Sequence, residues 1–257
     1  MALSLVDRLH YRHRCWRYRL RTERLPLSVL AALRLRGATV LDIGANRGLW
    51  CHWLHRAVGP SGRVIAFEPQ PELGDALQAI ARWRGWPGFR LVRAGLSDAP
   101  GRLVLRRGRV GDGSATFEPR EDAPGRQQVE VEVTTLDAVL DPGRPVRFAK
   151  CDVEGHEWHV LRGGARWLAR DRPALLVEGR VADPKTDAMM RDLAPLGYRA
   201  VVLMNGTMLP WRDAATVPHE RFGLVGHRDF LLLPGRAPDW LQGRWLGRFE
   251  AAALPAG

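Results

Sequence analysis

The sequence predicts an α/β fold with a doubly wound, mostly parallel sheet. Short apolar runs alternate with helical patterns from residue 38 onward. Their spacing is that of βαβ units, which close with right-handed crossovers. A glycine-containing turn follows the first run, where open parallel sheets place their ligands.

The elements follow in order. ATVLDIG (38–44) is a buried strand, 46–57 a helix, RVIAFEP (63–69) a second strand, 70–84 a helix and FRLVRAGLSD (89–98) a third strand. Residues 99–135 break the rhythm. RLVLRR and QVEVEVTTL have the period of two of half-buried strands, and the Gly-, Pro- and Asp-rich stretch between them predicts an antiparallel excursion with a mobile loop. Alternation resumes with VRFAKCDV (146–153), a helix over 155–169, ALLVEG (174–179), a helix over 184–195, YRAVVLM (198–204) and a late strand DFLLLP (229–234).

Two flanks surround this 38–234 domain. Residues 1–37 are basic and amphipathic, with Leu3, Val6, Leu9, His13, Trp16 and Leu20 at helical steps. They read as a cap over a site, as a surface helix making peripheral membrane contact, or as plain packing on the domain. The tail 235–257, with Trp240, Leu241, Trp245, Leu246 and Phe249, reads as cover for an exposed edge or face.

Composition narrows the class. At 257 residues with 46% hydrophobic content the chain can bury a large core. No run reaches the roughly 18 apolar residues of a membrane span, and mean hydropathy is −0.23. Arg and His interrupt the first twenty residues too often for a secretory leader. Cys15, Cys51 and Cys151 are odd in number with no CxxC spacing, so neither a disulfide framework nor a zinc site is expected, and a reducing, cytoplasmic compartment is. The net charge of +11 raises nucleic acid as a partner, yet all but two of the 39 basic residues are arginine, as in a GC-rich bacterial coding sequence. A solvated Arg-rich surface explains that better than a nucleic-acid footprint. The two exceptions, Lys150 and Lys185, mark places that want an ammonium instead of a guanidinium fork.

Three strand ends carry the chemistry. After the first stand Asp42, Gly44, Asn46 and Gly48; the glycines allow tight turning and Asn tolerates left-handed angles. A dinucleotide fingerprint also needs glycine at 46 and 49, so a nicotinamide or flavin reading fails. Glu68 ends the second strand twenty-four residues after Gly44, near the distance at which such folds hold ribose hydroxyls. After the strand 146–153 come Lys150, Asp152 and Glu154 on one side, then His156, and Glu178 at the next strand end joins them. So many ionisable groups at a buried strand end are either a structural ion pair with a helix cap or a working site.

VLDIGANRGLW, VIAFEPQP, AGLSD, VTTLDAVL, KCDVEGHEWHVLRGGARWL and PALLVEG, in this order over about 38–180, resemble the FkbM family of S-adenosylmethionine-dependent methyltransferases. The resemblance implies a class I methyltransferase (Rossmann-like) fold with a seven-stranded, mostly parallel sheet and a late antiparallel strand. It implies S-adenosyl-L-methionine as cofactor and O-methylation of a hydroxyl on a sugar, glycan, lipid or secondary metabolite. Asp42, Gly44, Asn46 and Gly48 would then border the methionine part, Glu68 the ribose, and Ser97 with Asp98 the adenine. Asp152, Glu154 and His156 are the candidate bases, with Lys150 as counter-charge. No metal is expected, because Lys150 already supplies a cation to the cluster. No D/N-P-P-Y/F tetrapeptide occurs, which speaks against base N-methylation of nucleic acid. RNA ribose 2′-O-methylation and a non-catalytic adaptor keeping the fold are the competing readings.

Overall fold

The computed structural model describes residues 3–119, 125–181, 183–204, 207–214 and 228–235. The chain opens with helix α1 (Leu5–Arg17), a π-helical turn (Tyr18–Thr22) and α2 (Arg24–Ala32). Strand β1 (Thr39–Ile43), α3 (Leu49–Val58), β2 (Arg63–Phe67), α4 (Pro71–Arg84) and β3 (Phe89–Val92) follow as parallel βαβ units. β4 (Gly95–Leu96), β5 (Gly101–Arg107) and β6 (Gln127–Thr134) leave the main sheet for a small one of their own, in the order β4-β6-β5. After α5 (Leu136–Val139) come β7 (Val146–Cys151), α6 (Glu157–Arg162), α7 (Ala165–Asp171), β8 (Ala174–Gly179), α8 (Pro184–Leu193) and β9 (Tyr198–Met204). β10 (Thr207–Pro210), α9 (Trp211–Ala214) and β11 (Arg228–Pro234) end the described fold.

The main sheet has the order β10-β9-β11-β8-β7-β1-β2-β3. β11 slots antiparallel between β8 and β9, which is the late antiparallel strand the sequence predicts. Strand alternation sends side chains to two cores. Val40, Val64, Phe148, Leu176 and Leu231 face Leu27 and Leu30 of α2 and Trp50, Trp53 and Leu54 of α3. Leu41, Ala149, Leu175, Phe230 and Leu232 face Val160, Trp167, Met189 and Leu193 of α6 to α8. Both faces are covered, so the central strands are mostly apolar, with Asp42 and Lys150 as buried exceptions.

The sheet departs from the expectation in three places. It has eight described strands instead of seven, because β10 pairs antiparallel with β9; the Asn-Gly sequence at 205–206 is a signal for such a pairing that the sequence reading passed over. The stretch 89–98 is two strands, with the chain leaving the main sheet after Val92 and pairing Gly95 and Leu96 with β6. The helix over 155–169 is broken at Gly163-Gly164. A Cβ on Gly163 would lie 2.0 Å from the Ser97 carbonyl oxygen, so the break lets the chain pass against the end of β4.

The N-terminal segment is not uniform. α2 belongs to the core, with Leu27, Val29 and Leu30 almost fully buried. α1 packs on its Tyr11 and Cys15 side and leaves the predicted apolar stripe outward. The tail 236–257 lies outside the described residues, as do Asn205 and His219.

Candidate functional site

Three strand ends meet at the site. β1 turns through Gly44 at φ 79°, and a Cβ there would stand 1.9 Å from the Asp152 carbonyl oxygen. Only glycine lets this turn pass so close to the segment after β7. Gly48, at φ 71°, starts α3. Between them Asn46 takes φ 47°, a left-handed conformation asparagine tolerates.

The Asn46 N–H donates to Glu68 Oε2 at 2.8 Å, and the Gln70 N–H donates to Oε1 at 2.9 Å. Glu68 is only 3% exposed. Burial pushes its pKa up to about 7 against the pull of the two backbone donors. A carboxylate offers about four acceptor sites, so each oxygen keeps room for a further donor.

Asp42 and Lys150 are register partners on β1 and β7, both almost fully buried. Asp42 Oδ2 accepts from Cys51 Sγ at 2.8 Å, while Oδ1 has no hydrogen-bond partner among the described residues. Burial raises the Asp42 pKa, with Lys150 opposing. Lys150 Nζ donates to Asp152 Oδ2 at 2.6 Å and sits 5.6 Å from the centre of the Trp50 ring. Burial disfavours its charge, but Asp152 and Asp42 outweigh that and hold its pKa well above the usual lysine value.

The segment after β7 is shaped by Glu157. The Val153 and Gly155 N–H groups donate to its carboxylate at 2.9 and 3.0 Å, and burial raises its pKa to about 7. Glu154, at φ 58°, is thereby turned toward the sheet end. Carboxylate oxygens of Asp152, Glu154 and Glu178 lie within 4.8 Å of one another. Oxygen ligands at such spacing suit Mg²⁺ or Ca²⁺ in principle, although Lys150 already balances part of the charge.

Two cavities adjoin along these residues. The smaller, partly open to solvent, runs from Gly44 and Asn46 past Glu68 to Leu96 and Phe117. The larger is bounded by Arg14, Tyr18, Glu23, Asp42, Lys150 and Glu178. Gly44, Asn46, Gly113, Asp152 and Glu154 belong to both.

The excursion roofs the smaller cavity. Arg107, at the end of β5, is buried and grips Glu72 through both terminal nitrogens, at 3.0 and 2.9 Å, and Gln70 Oε1 at 3.1 Å. The Gly111 N–H reaches the same Gln70 oxygen at 3.3 Å, and the Thr116 hydroxyl donates to the Glu154 carbonyl at 2.8 Å. Residues 111–119 of the predicted mobile loop are therefore tied down over the site. The sequence reading missed Gln70, Arg107 and Phe117 because their partners lie 30 to 40 residues away. Asp112 left a signal: in GDGS it closes a turn by accepting from the Ser114 N–H at 3.0 Å.

Three predicted site residues lie elsewhere. His156 is 6% exposed, with Nε2 3.0 Å from Ser97 Oγ and Nδ1 2.8 Å from Glu118 Oε1. Burial lowers its pKa even though Glu118 pulls the other way. Both ring nitrogens are engaged, so it links β4 to the excursion instead of facing either cavity. Ser97 is held by His156, and Asp98 by His159 Nδ1 at 3.1 Å. Ala94, Gly95 and Leu96 take the place expected for Ser97 and Asp98, because the chain has already left the main sheet. Lys185 completes this network as the ion-pair partner of Glu118.

The fold recurs among solved methyltransferases. A methyltransferase FkbM from Methylobacillus flagellatus superposes with a TM-score of 0.51 at 18% identity, over 77% of this chain and 44% of that one. This chain thus spans less than half of that protein. A structure described as a candidate rRNA methylase from Clostridium thermocellum gives 0.52 at 10% identity, over 83% and 95% of the two chains. A candidate methyltransferase from Streptococcus mutans, in complex with SAH, gives 0.51 at 11% identity, over 84% and 98%. No curated protein matches the sequence. The family model of the methyltransferase FkbM domain matches residues 42–200, from within β1 into β9, more than half of the chain and all three strand ends of the site; the chain belongs to the FkbM methyltransferase family.

Proposed function

We propose that this chain transfers a methyl group from S-adenosyl-L-methionine to a hydroxyl of a sugar, glycan, lipid or secondary metabolite. The observation that supports this reading is the pair of cavities that meet along Gly44, Asn46, Asp152 and Glu154. The residues fit the cofactor. Glu68 has spare acceptor capacity for ribose hydroxyls, and the partnerless Asp42 Oδ1 suits the ammonium of the methionine part. The cofactor supplies an electrophilic methyl on a sulfonium.

What the chain adds is placement and a proton acceptor. The larger cavity holds the acceptor hydroxyl where the two cavities join, and alignment of that kind supplies most of the catalysis in an in-line displacement. The hydroxyl proton passes to a carboxylate of the Asp152, Glu154 and Glu178 group. Asp152 Oδ2 also accepts from Lys150, and Glu154 and Glu178 complete the group of acceptors.

The test is incubation of the chain with methyl-labelled cofactor and separated lipid, glycan, small-molecule and RNA pools. Label is expected in one of the first three. Label in RNA alone would overturn the acceptor class.

A further inference from the structure

The outer face of the N-terminal helices does not serve the site. Leu5, Val6, Leu9, Trp16 and Leu20 are between 49% and 74% exposed, although the opposite side of α1 is packed through Tyr11 and Cys15. That packing is specific: the Tyr11 hydroxyl donates to the Gly48 carbonyl at 2.7 Å, and the Trp53 indole to the Cys15 carbonyl at 3.3 Å. The helix is thus held by its narrow side with its apolar stripe pointing away from the protein.

A second feature adjoins the stripe. Trp16 also lines a groove, partly open to solvent, whose apolar wall includes Leu27, Leu30 and Trp53. Arg19, Arg34, Arg36 and Arg56 line the same groove. None of the four is ion-paired among the described residues, and Arg19 and Arg56 lie over the Trp53 ring. An apolar ridge continuous with an apolar groove that carries four unpaired guanidiniums is complementary to a surface that is apolar inside and anionic outside.

We infer that this face docks the protein on an anionic lipid bilayer. The stripe of α1 enters the acyl boundary, as amphipathic surface helices do, and the groove arginines take the lipid phosphates. Docking also reaches the site: Arg14, Tyr18 and Glu23 of the same segment line the larger cavity. The proposal does not depend on the methyl-transfer reading, since it concerns where the chain sits and not what it transfers.

Flotation of the full chain with vesicles of phosphatidylcholine alone, and of phosphatidylcholine mixed with phosphatidylglycerol, tests it. The chain is expected to float with the mixed vesicles, less with the neutral ones, and to be released from the mixed vesicles as salt rises. The double variant Leu5→Asp, Leu9→Asp should partition roughly tenfold or more weakly. Arg34→Glu with Arg36→Glu should lose about fivefold or more per arginine. All four positions are exposed, and an unchanged far-ultraviolet circular dichroism spectrum checks the fold. Equal partition to both vesicle types would overturn the inference, as would flotation unaffected by Leu5→Asp, Leu9→Asp. Retardation of an RNA oligonucleotide that Arg34→Glu, Arg36→Glu abolishes, without flotation, would assign the face to RNA. A dimer dissolved by Leu5→Asp, Leu9→Asp, without flotation, would assign it to a second copy of the chain.

Discussion

The backbone N–H of Asn46 donates to Oε2 of Glu68 across 2.8 Å, so the turn after β1 and the end of β2 are one unit. The left-handed Asn46 and the buried carboxylate hold each other in place. The proposed role of Glu68 as a ribose acceptor rests on that link.

Glu68→Ala should weaken S-adenosylmethionine binding by roughly tenfold or more, because hydrogen bonds to a charged acceptor contribute about 1.5–3 kcal/mol each. Calorimetry measures it. Unchanged affinity would remove Glu68 from the site.

With a folded-state pKa raised from 4.5 to about 7, Glu68 binds protons in the folded chain that the unfolded chain has released. Its contribution to stability therefore falls as pH rises from 4.5 through about 7. Ribose hydroxyls favour the ionised form, so cofactor affinity should rise over pH 6 to 8 and then level off. In Glu68→Gln the slope should vanish.

Lys150 is a buried cation beside Asp42 and Asp152, and removing it takes the counter-charge from the fully buried Asp42. Lys150→Met should lower unfolding stability by about 3–5 kcal/mol, read from urea denaturation. A loss below about 1 kcal/mol would mean that the pair is replaceable by apolar packing. Because this ammonium already occupies the cluster, turnover should survive EDTA; loss on chelation with recovery in Mg²⁺ would reverse that expectation.

Glu154→Gln and Glu178→Gln keep side-chain size while deleting basicity, so a base role requires kcat to fall by about 10²–10⁴ with cofactor affinity nearly unchanged. Asp152→Asn should also slow turnover, with a loss of stability because Lys150 loses a charged partner. His156→Ala should act mainly on stability, since its ring bonds Ser97 and Glu118.

Arg107→Met should loosen the roof over the smaller cavity. Its bonds to Glu72 and Gln70 are the tie between β5 and the start of α4. Cofactor Kd is expected to rise several-fold through faster dissociation, measured by stopped flow, with thermal stability little changed.

The parts of this picture legible in sequence were those written in local pattern. Strand ends, the glycine turn, Glu68 and the Lys150 to Glu154 run follow from periodicity and spacing. Both lysines of this Arg-rich chain hold carboxylates, Lys150 on Asp152 and Lys185 on Glu118. What was not legible depends on long-range pairing. Nothing near Ser97 says that β4 leaves the main sheet for β6, and that departure is why Ser97, Asp98 and His156 form a network of their own. Likewise the apolar positions of α1 repeat as a buried face would, and only Tyr11 and Cys15 show that the helix packs on its other side.

The central claim is transfer of methyl to oxygen, and its most direct measurement is the bond that forms. With ¹³C-methyl S-adenosylmethionine and the acceptor pool that takes up label, nuclear magnetic resonance of the product should show the new carbon as a methoxy group, and Glu68→Ala should abolish its formation at low cofactor. A new methyl on nitrogen or carbon would contradict the account.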